Sequence, residues 1–267
     1  MTEVSRTSPA SISAAPRALA AVVLAAGRSK RMNSDVVKVL HPVCDRPMVE
    51  WVVDACRAAG CSRIILVVGF QGDKVREAFA EQSDVEFVNQ HQPLGTGHAV
   101  MQAETLLAGF DGDLVVLAGD GPLIRCETLE RLVQRHRQAG AAGSLATARI
   151  ADPAGYGRIV RDATGHFDRI VEDKDATPAE KQINEINPSY YCFDSRRLFA
   201  ALHRLTNKNA SGEYYLTDVC AILRGDGLQV EVIDAVGADE VHSINTAEQL
   251  EFVSTILAKR LAEGAVH

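Results

Sequence analysis

Basic side chains cluster where an apolar strand runs out. Ala21 to Ala25 are five apolar residues, followed by Ala26 and Gly27, then by Arg28, Lys30 and Arg31, with Lys38 inside the next apolar run. A turn of small residues after a buried strand exposes backbone N–H groups. Arg31 brings a planar fork and Lys38 a compact charge, a pair able to neutralise a polyphosphate. A solvated basic loop is the other reading of the same residues. In "VVLAGDGPLI", Asp120 lies just past a strand between Gly119 and Gly121. A carboxylate at a strand end beside phosphates suits Mg²⁺, which takes one or two protein oxygens; Asp is also an ordinary turn residue. Asn245 in "VHSINTAEQL" is either an amide ligand or the N-cap of the helix that follows. Gly95, Thr96 and Gly97 open a predicted helix, where glycines let a ligand reach the backbone and the helix start favours negative charge; an N-cap threonine would use the same residues.

Two common nucleotide signatures, G-x-G-x-x-G and G-x-x-x-x-G-K-[ST], are absent from the first of these loops. With 28 basic and 35 acidic residues the net charge is −7, which argues against nucleic-acid binding through bulk charge. A bound polyanion must therefore be small and met by a local basic cluster. The six cysteines form no C-x-x-C pair and read as reduced thiols of a cytoplasmic protein. No apolar run approaches the ~18 residues of a membrane helix.

The elements that position these residues alternate. Strands are expected at 63–69, 85–90, 112–120 and 143–150, and helices at 73–82, 96–107 and 126–140. That rhythm predicts an α/β fold with a mostly parallel, twisted sheet and helices on both faces, binding ligands at the carboxyl ends of its strands. After residue 150 the pattern changes to two short strands around the turn "DATG", then a polar, lid-like segment "PAEKQINEIN". A strand and helix in "SYYCFDSRRLFAALHRL", a helix in "YYLTDVCAILRGDG", a strand in "LQVEVIDA" and a final helix from Thr246 complete the chain. Residues 1–17, rich in Ser, Ala and Pro, are expected to be disordered rather than a signal peptide. Residues 18–267 form one expected domain, with a β-rich lobe inserted at about 151–190.

Taken in order, "LAAGRSKRMNSDVVKVL", "QPLGTGHA", "GDGPLI", "GYGRIV", "VEDKDAT", "EIN", "NKNASGEYYLTD" and "INT" resemble the bacterial N-acetylglucosamine-1-phosphate uridyltransferases, the amino-terminal half of a bifunctional enzyme. The resemblance spans about residues 20 to 260. It implies a Rossmann-like, nucleotide-diphospho-sugar transferase fold with UTP and N-acetylglucosamine-1-phosphate as substrates and Mg²⁺ as cofactor. By the same resemblance, Leu24, Ala25, Ala26 and Gly27 line the nucleotide with main-chain groups and Gly119 borders it. Arg31 and Lys38 contact phosphates, and Gln90, Gly95 and Thr96 recognise uracil. Asp120 and Asn245 hold the metal, while Gly157, Glu172 and Asn187 hold the sugar. The lobe is then the sugar-binding part.

The chain departs from the family pattern at Val37, Pro93, Ala118 and Pro188-Ser189. No hexapeptide repeat follows residue 260, so no β-helix acetyltransferase half and a single activity are expected. Two alternatives stay open: a nucleotidyltransferase for another sugar-1-phosphate, and a catalytically silent binding protein. Nucleic acid and membrane are not expected partners, and the sequence gives no oligomeric state.

Overall fold

The computed structural model describes residues 17–27, 31–32 and 34–264. Residues 1–16 of the expected disordered segment, and Arg28 and Lys30 of the basic loop, lie outside the described residues.

Along the chain, β1 (Ala18–Ala25) is followed by a single 3₁₀ turn at Lys38–Leu40 and a two-residue ladder of β2 (Pro42–Val43) and β3 (Arg46–Pro47). Then come α1 (Met48–Ala58), β4 (Arg63–Val68), α2 (Gly72–Ala78), β5 (Val85–Asn89), α3 (Thr96–Met101), β6 (Gly112–Ala118), α4 (Cys126–Ala139) and β7 (Gly143–Arg149). The hairpin β8 (Gly157–Arg161) and β9 (Phe167–Val171) precedes β10 (Glu185–Asp194), α5 (Ser195–Leu202), α6 (Asp218–Gly225), β11 (Val230–Asp234) and α7 (Ala247–Ala262).

The main path of the sheet runs β11-β7-β10-β6-β1-β4-β5. β1 pairs in parallel with β4 and β6, β4 with β5, and β7 with β11. β10 alone reverses direction along this path, antiparallel to β6 and β7. The hairpin continues from the first residues of β10, with β8 opposite Ile186 and Asn187. This is the α/β, Rossmann-like class with a β-rich attachment.

Successive side chains of β1 alternate between two apolar layers. Ala21, Val23 and Ala25 join α1, α4 and α7, whereas Ala20 and Val22 join α3, α5 and α6. Burial on both faces makes the central strands continuous apolar runs, and each fully buried Val or Leu contributes about 1.5–3 kcal/mol. An aspartate at Val23 would strand a charge between sheet and helix.

Four local expectations change. The helix expected over 96–107 stops at Met101, where i→i+3 bonds such as Glu104 N to the Met101 carbonyl (3.1 Å) tighten the chain into turns. The helix expected over 73–82 likewise ends at Ala78. The lid-like segment loses Glu185–Asn187 to β10, because the Glu185 carboxylate is met by Arg161 at 2.7 Å and Arg149 at 3.1 Å. A further helix, α1, carries buried residues over most of its surface and begins without a side-chain cap.

Candidate active site

The carboxyl ends of β1 and β6 lie side by side because glycine permits it. Gly119 N–H donates to the Leu24 carbonyl at 2.9 Å, and a Cβ on Gly119 would sit 2.9 Å from that same oxygen. Asp120 follows, and its carbonyl accepts from Ile244 N–H at 2.9 Å, which draws the segment before α7 to the same edge. Lys38 arrives from the 3₁₀ turn, flanked by Val37 and Val39, each 2% exposed. These two anchors fix its backbone while the ammonium reaches out on an apolar stem.

Three sequence-distant groups then converge. Lys38 Nζ donates to Asp120 Oδ2 and, at 2.8 Å, to Asn245 Oδ1. Arg31 NH2 donates to Asn245 Oδ1 at 3.1 Å. Asn245 does not cap α7. The cap is Thr246, whose hydroxyl accepts from Gln249 N–H while Gln249 Oε1 accepts from Thr246 N–H. The Asn245 amide is thereby released toward the cations. One carboxylate oxygen and one amide oxygen facing a common point are hard donors of the kind Mg²⁺ accepts, with room on the ion for phosphates and water.

Asp120 also divides two clefts. A cleft of about 270 Å³ is walled by Leu24, Ala26, Gly27, Gln90, Gly95 and Thr96, with Lys38 and Asp120 at its end. The Ala25 side chain turns into the core instead, at 2% exposure, leaving only its main chain for the edge. Gln90 is buried, and its Nε2 donates to the Gly95 carbonyl at 3.0 Å and lies 3.1 Å from His98 Nδ1. The loop shape is dictated by the segment running against it: Gly97 N–H meets the Tyr214 carbonyl at 2.8 Å, and the Thr96 hydroxyl accepts from Leu216 N–H at 3.0 Å. Gly95, at φ 114°, is required there, since a Cβ would lie 2.6 Å from the Tyr214 carbonyl oxygen.

The second cleft, about 420 Å³, holds Gly157, Glu172 and Asn187 together with Arg31, Asp120 and Asn245. Gly157 packs beside them: a Cβ there would crowd Ile170 Cγ2 at 3.0 Å and reach ordinary contact, 3.7 Å, with Glu172 Oε2 and Asn187 Cβ. Glu172 Oε1 accepts from the Thr217 hydroxyl at 3.0 Å. Burial pushes the Glu172 carboxyl above its ordinary value; Thr217 opposes this, and nearby Asp218, Asp175 and Glu213 add to it. Lys174 does not pair with it but donates to Ser211 at 3.3 Å. Asn187 Nδ2 donates to the Tyr191 hydroxyl at 2.6 Å, and its Oδ1 accepts from Ser189 N–H at 3.2 Å. Ser189 is left-handed at φ 68°, where the register of β10 shifts.

Sequence reasoning missed Tyr156 and Glu213, which border these clefts, Thr217, which donates to Glu172 from behind, and the pair Thr246 and Gln249. Only the last had a local signal, the T-x-x-Q spacing of a capping box. Among the described residues no group of three or more His, Cys, Asp or Glu can hold a metal, so an ion here needs ligand oxygens beside those of Asp120 and Asn245. No described helix is long and apolar enough to cross a membrane.

A family model of MobA-like NTP transferase domains matches residues 21–221. The chain is 48% identical over 241 residues to the bifunctional protein GlmU of Geobacillus thermodenitrificans, covering 90% of this chain and 52% of that protein. It is 46% identical over 243 residues to the bifunctional protein GlmU of Geobacter metallireducens, covering 91% and 51%. The chain thus spans about half the length of these curated relatives. A crystal structure of UDP-glucose pyrophosphorylase complexed with UDP-glucose superposes with a TM-score of 0.72 at 16% identity, over 91% of this chain and 99% of that one, a likeness of fold.

Proposed function

We propose that this chain, which belongs to the family of MobA-like NTP transferase domains, transfers the uridylyl group of UTP to N-acetylglucosamine-1-phosphate, giving UDP-N-acetylglucosamine and pyrophosphate. The observation that carries the reading is the meeting of two clefts at Asp120. One is narrow and edged with glycines and main chain, as a nucleoside requires. The other is polar and presents Glu172 and Asn187, as a sugar requires.

An oxygen of the sugar phosphate attacks the α-phosphorus of UTP while the bond from that phosphorus to the bridging oxygen of the β-phosphate breaks, and pyrophosphate departs. The nucleophile is already an anion, so no general base is needed. The protein's part is alignment and neutralisation of charge. Lys38 and Arg31, at the junction of the clefts, would hold the phosphates. Asp120 and Asn245 would hold Mg²⁺, which when bound supplies further neutralisation of phosphate oxygens. Gln90, with Gly95 and Thr96, would present polar main-chain and side-chain groups to uracil. Glu172 would accept hydrogen bonds from sugar hydroxyls, and Asn187 would lie at the sugar's N-acetyl face. Six free thiols suit work in the cytoplasm.

One observation favours a second reading, a different sugar-1-phosphate. The Asn187 amide is already engaged by Tyr191 and by Ser189, beside the unusual Pro188-Ser189. A panel of sugar-1-phosphates with UTP and Mg²⁺, followed by pyrophosphate release, separates the two. N-acetylglucosamine-1-phosphate should exceed glucose-1-phosphate by at least about tenfold in kcat/KM, worth about 1.4 kcal/mol of discrimination. Equal rates, or preference for another sugar, would move the assignment to that sugar. Pyrophosphate from none of them would mark a binding protein.

A further inference from the structure

The oxygens proposed for the metal already share a cation. Lys38 Nζ donates to Asp120 Oδ2 and to Asn245 Oδ1 and, among the described residues, to nothing else. A divalent ion bound by the same two oxygens at about 2.0–2.1 Å would occupy the space of that ammonium. We infer that Lys38 is the resident cation of the metal seat, and that the divalent ion enters only when nucleotide phosphates draw the ammonium away. The inference rests on the reading of Asp120 and Asn245 as the metal's oxygens.

Three features carry it. The first is position. The ammonium is sequestered, with the Lys38 side chain 11% exposed and that of Asp120 19% exposed, so the contact is not a solvated surface pair that water readily replaces. The second is charge. Among the described residues of this hydrogen-bonded cluster, two cations, Lys38 and Arg31, accompany one anion, Asp120, because Asn245 is neutral. Adding a divalent ion to a cluster with a surplus positive charge is unfavourable, and among the described residues no group of three or more His, Cys, Asp or Glu gathers there to offset it. A triphosphate reverses the balance by bringing excess negative charge, for which Lys38 is well placed. The third is leverage. Val37 and Val39 pin the backbone on either side of Lys38, so the ammonium can change partners by rotating its side chain, without moving the 3₁₀ turn.

The consequence is coupled loading. Nucleotide raises metal affinity by removing the competitor, and by linkage metal raises nucleotide affinity by the same factor. Such a seat remains closed to divalent ions until a phosphate ligand is present to use them.

The test is Mn²⁺ binding, read from the electron paramagnetic resonance signal of the free ion, with wild type, Lys38→Met, Lys38→Gln and Arg31→Met. Thermal melts verify that each variant is folded. Without UTP, Lys38→Met and Lys38→Gln should bind Mn²⁺ at least about tenfold more tightly than wild type. Arg31→Met removes the same charge but does not empty the seat, and should gain no more than about threefold. Equal affinities in wild type and both Lys38 variants overturn the inference, as does an Arg31→Met gain as large as that of Lys38→Met. Asp120→Asn with saturating UTP tests the underlying reading separately. If it leaves Mn²⁺ uptake unchanged, the Asp120 assignment falls and the inference with it. If it weakens that uptake while the Lys38 variants gain nothing without UTP, the assignment stands and the inference alone falls.

Discussion

Strand β6 carries the dipeptide Gly-Asp at both ends, Gly112-Asp113 where it enters the sheet and Gly119-Asp120 just after it leaves. Both glycines hug β1: a Cβ on Gly112 would lie 2.4 Å from the Ala18 carbonyl oxygen, and one on Gly119 2.9 Å from that of Leu24. The aspartates differ completely. Asp113 is fully buried, with Arg137 Nε at 2.7 Å, Arg17 NH1 at 3.0 Å and His136 Nε2 at 3.7 Å. The histidine is held below its ordinary pKa by burial, so the two arginines supply the countercharge. Asp120 has, among the described residues, one cation, Lys38, and opens onto two clefts. A carboxylate that is itself fully buried and held by two arginines is structural, even where, as here, those arginines border a cleft of their own of about 450 Å³. One whose countercharge can be exchanged for a ligand is available for work.

The sharpest way to break this contrast is to neutralise each aspartate in turn. Asp120→Asn should lower turnover by roughly 10²–10³-fold, the scale of losing a charge interaction focused on the transition state, with a melting temperature close to wild type. Asp113→Asn should leave kcat within about twofold yet lose about 3 kcal/mol of stability in urea titrations. That is the low end for one partner lost from a buried ion pair, because the Arg17 and Arg137 side chains retain 43% and 31% exposure and can rehydrate. If Asp113→Asn abolishes turnover in a stable protein, or Asp120→Asn mainly unfolds it, the two ends have been assigned the wrong way round.

How far the sequence disclosed this contrast depends on how local each cause is. The central strands were legible because burial on both faces leaves unbroken apolar runs, and Lys38 stood out as a charge inside one. Asp120 was marked by its place just past the strand, between two glycines, but nothing in the sequence showed the role of Asp113, since Arg17, Arg137 and His136 reach it only through the fold. The start of β10 was hidden by Glu185, a buried acid whose partners Arg149 and Arg161 lie in other strands. α1 escaped notice although Glu50, Asp54 and Arg57 mark one polar stripe along it, because it begins without a capping side chain to signal its start. The pairing of Leu94–Gly97 with Tyr214–Leu216 is tertiary, so neither reading of Gly95, Thr96 and Gly97, ligand approach or helix start, included it.

Glu172 sharpens the comparison as an intermediate case. It has the Thr217 hydroxyl but, among the described residues, no paired cation, and burial raises its pKa. A folded pKa above the unfolded one means that the ionised form costs stability at neutral pH. The cost disappears as pH falls through the raised value and Glu172 takes up a proton. Glu172→Gln should therefore melt at or slightly above wild type at pH 7.5, with the difference vanishing toward acid. Its KM for the sugar phosphate should rise roughly tenfold, since a charge-assisted acceptor becomes a neutral one, while the KM for UTP stays within about twofold. In the wild type the sugar KM should climb as pH falls through the same interval. A destabilised Glu172→Gln, or UTP and sugar constants rising together, would class Glu172 with Asp113.

The smallest expected effect concerns what holds the amide opposite Asp120. Asn245 N–H and Thr246 N–H both donate to Gln249 Oε1, at 2.7 and 3.2 Å, and Thr246 Oγ1 closes the box onto Gln249 N–H at 3.3 Å. The box fixes the backbone at Asn245, so that its Oδ1 stays on the cation seat. Thr246→Ala removes one arm and should cost about 1 kcal/mol, as for a lost N-cap. Because Gln249 can still hold the Asn245 backbone, the Mg²⁺ concentration for half-maximal turnover should rise only about two- to threefold, with kcat at saturating Mg²⁺ unchanged. Gln249→Ala removes the arm that touches Asn245 itself and should shift the Mg²⁺ requirement further than Thr246→Ala, at a similar cost in stability. If both variants lose stability equally and neither alters the Mg²⁺ requirement, the box does no more than start α7. Asn245 would then be placed by its side-chain contacts, with Lys38 and Arg31 on Oδ1 and the Ser243 hydroxyl accepting from Nδ2 at 3.2 Å among them, so that the Asp120 end of β6 would be organised by side chains as the Asp113 end is.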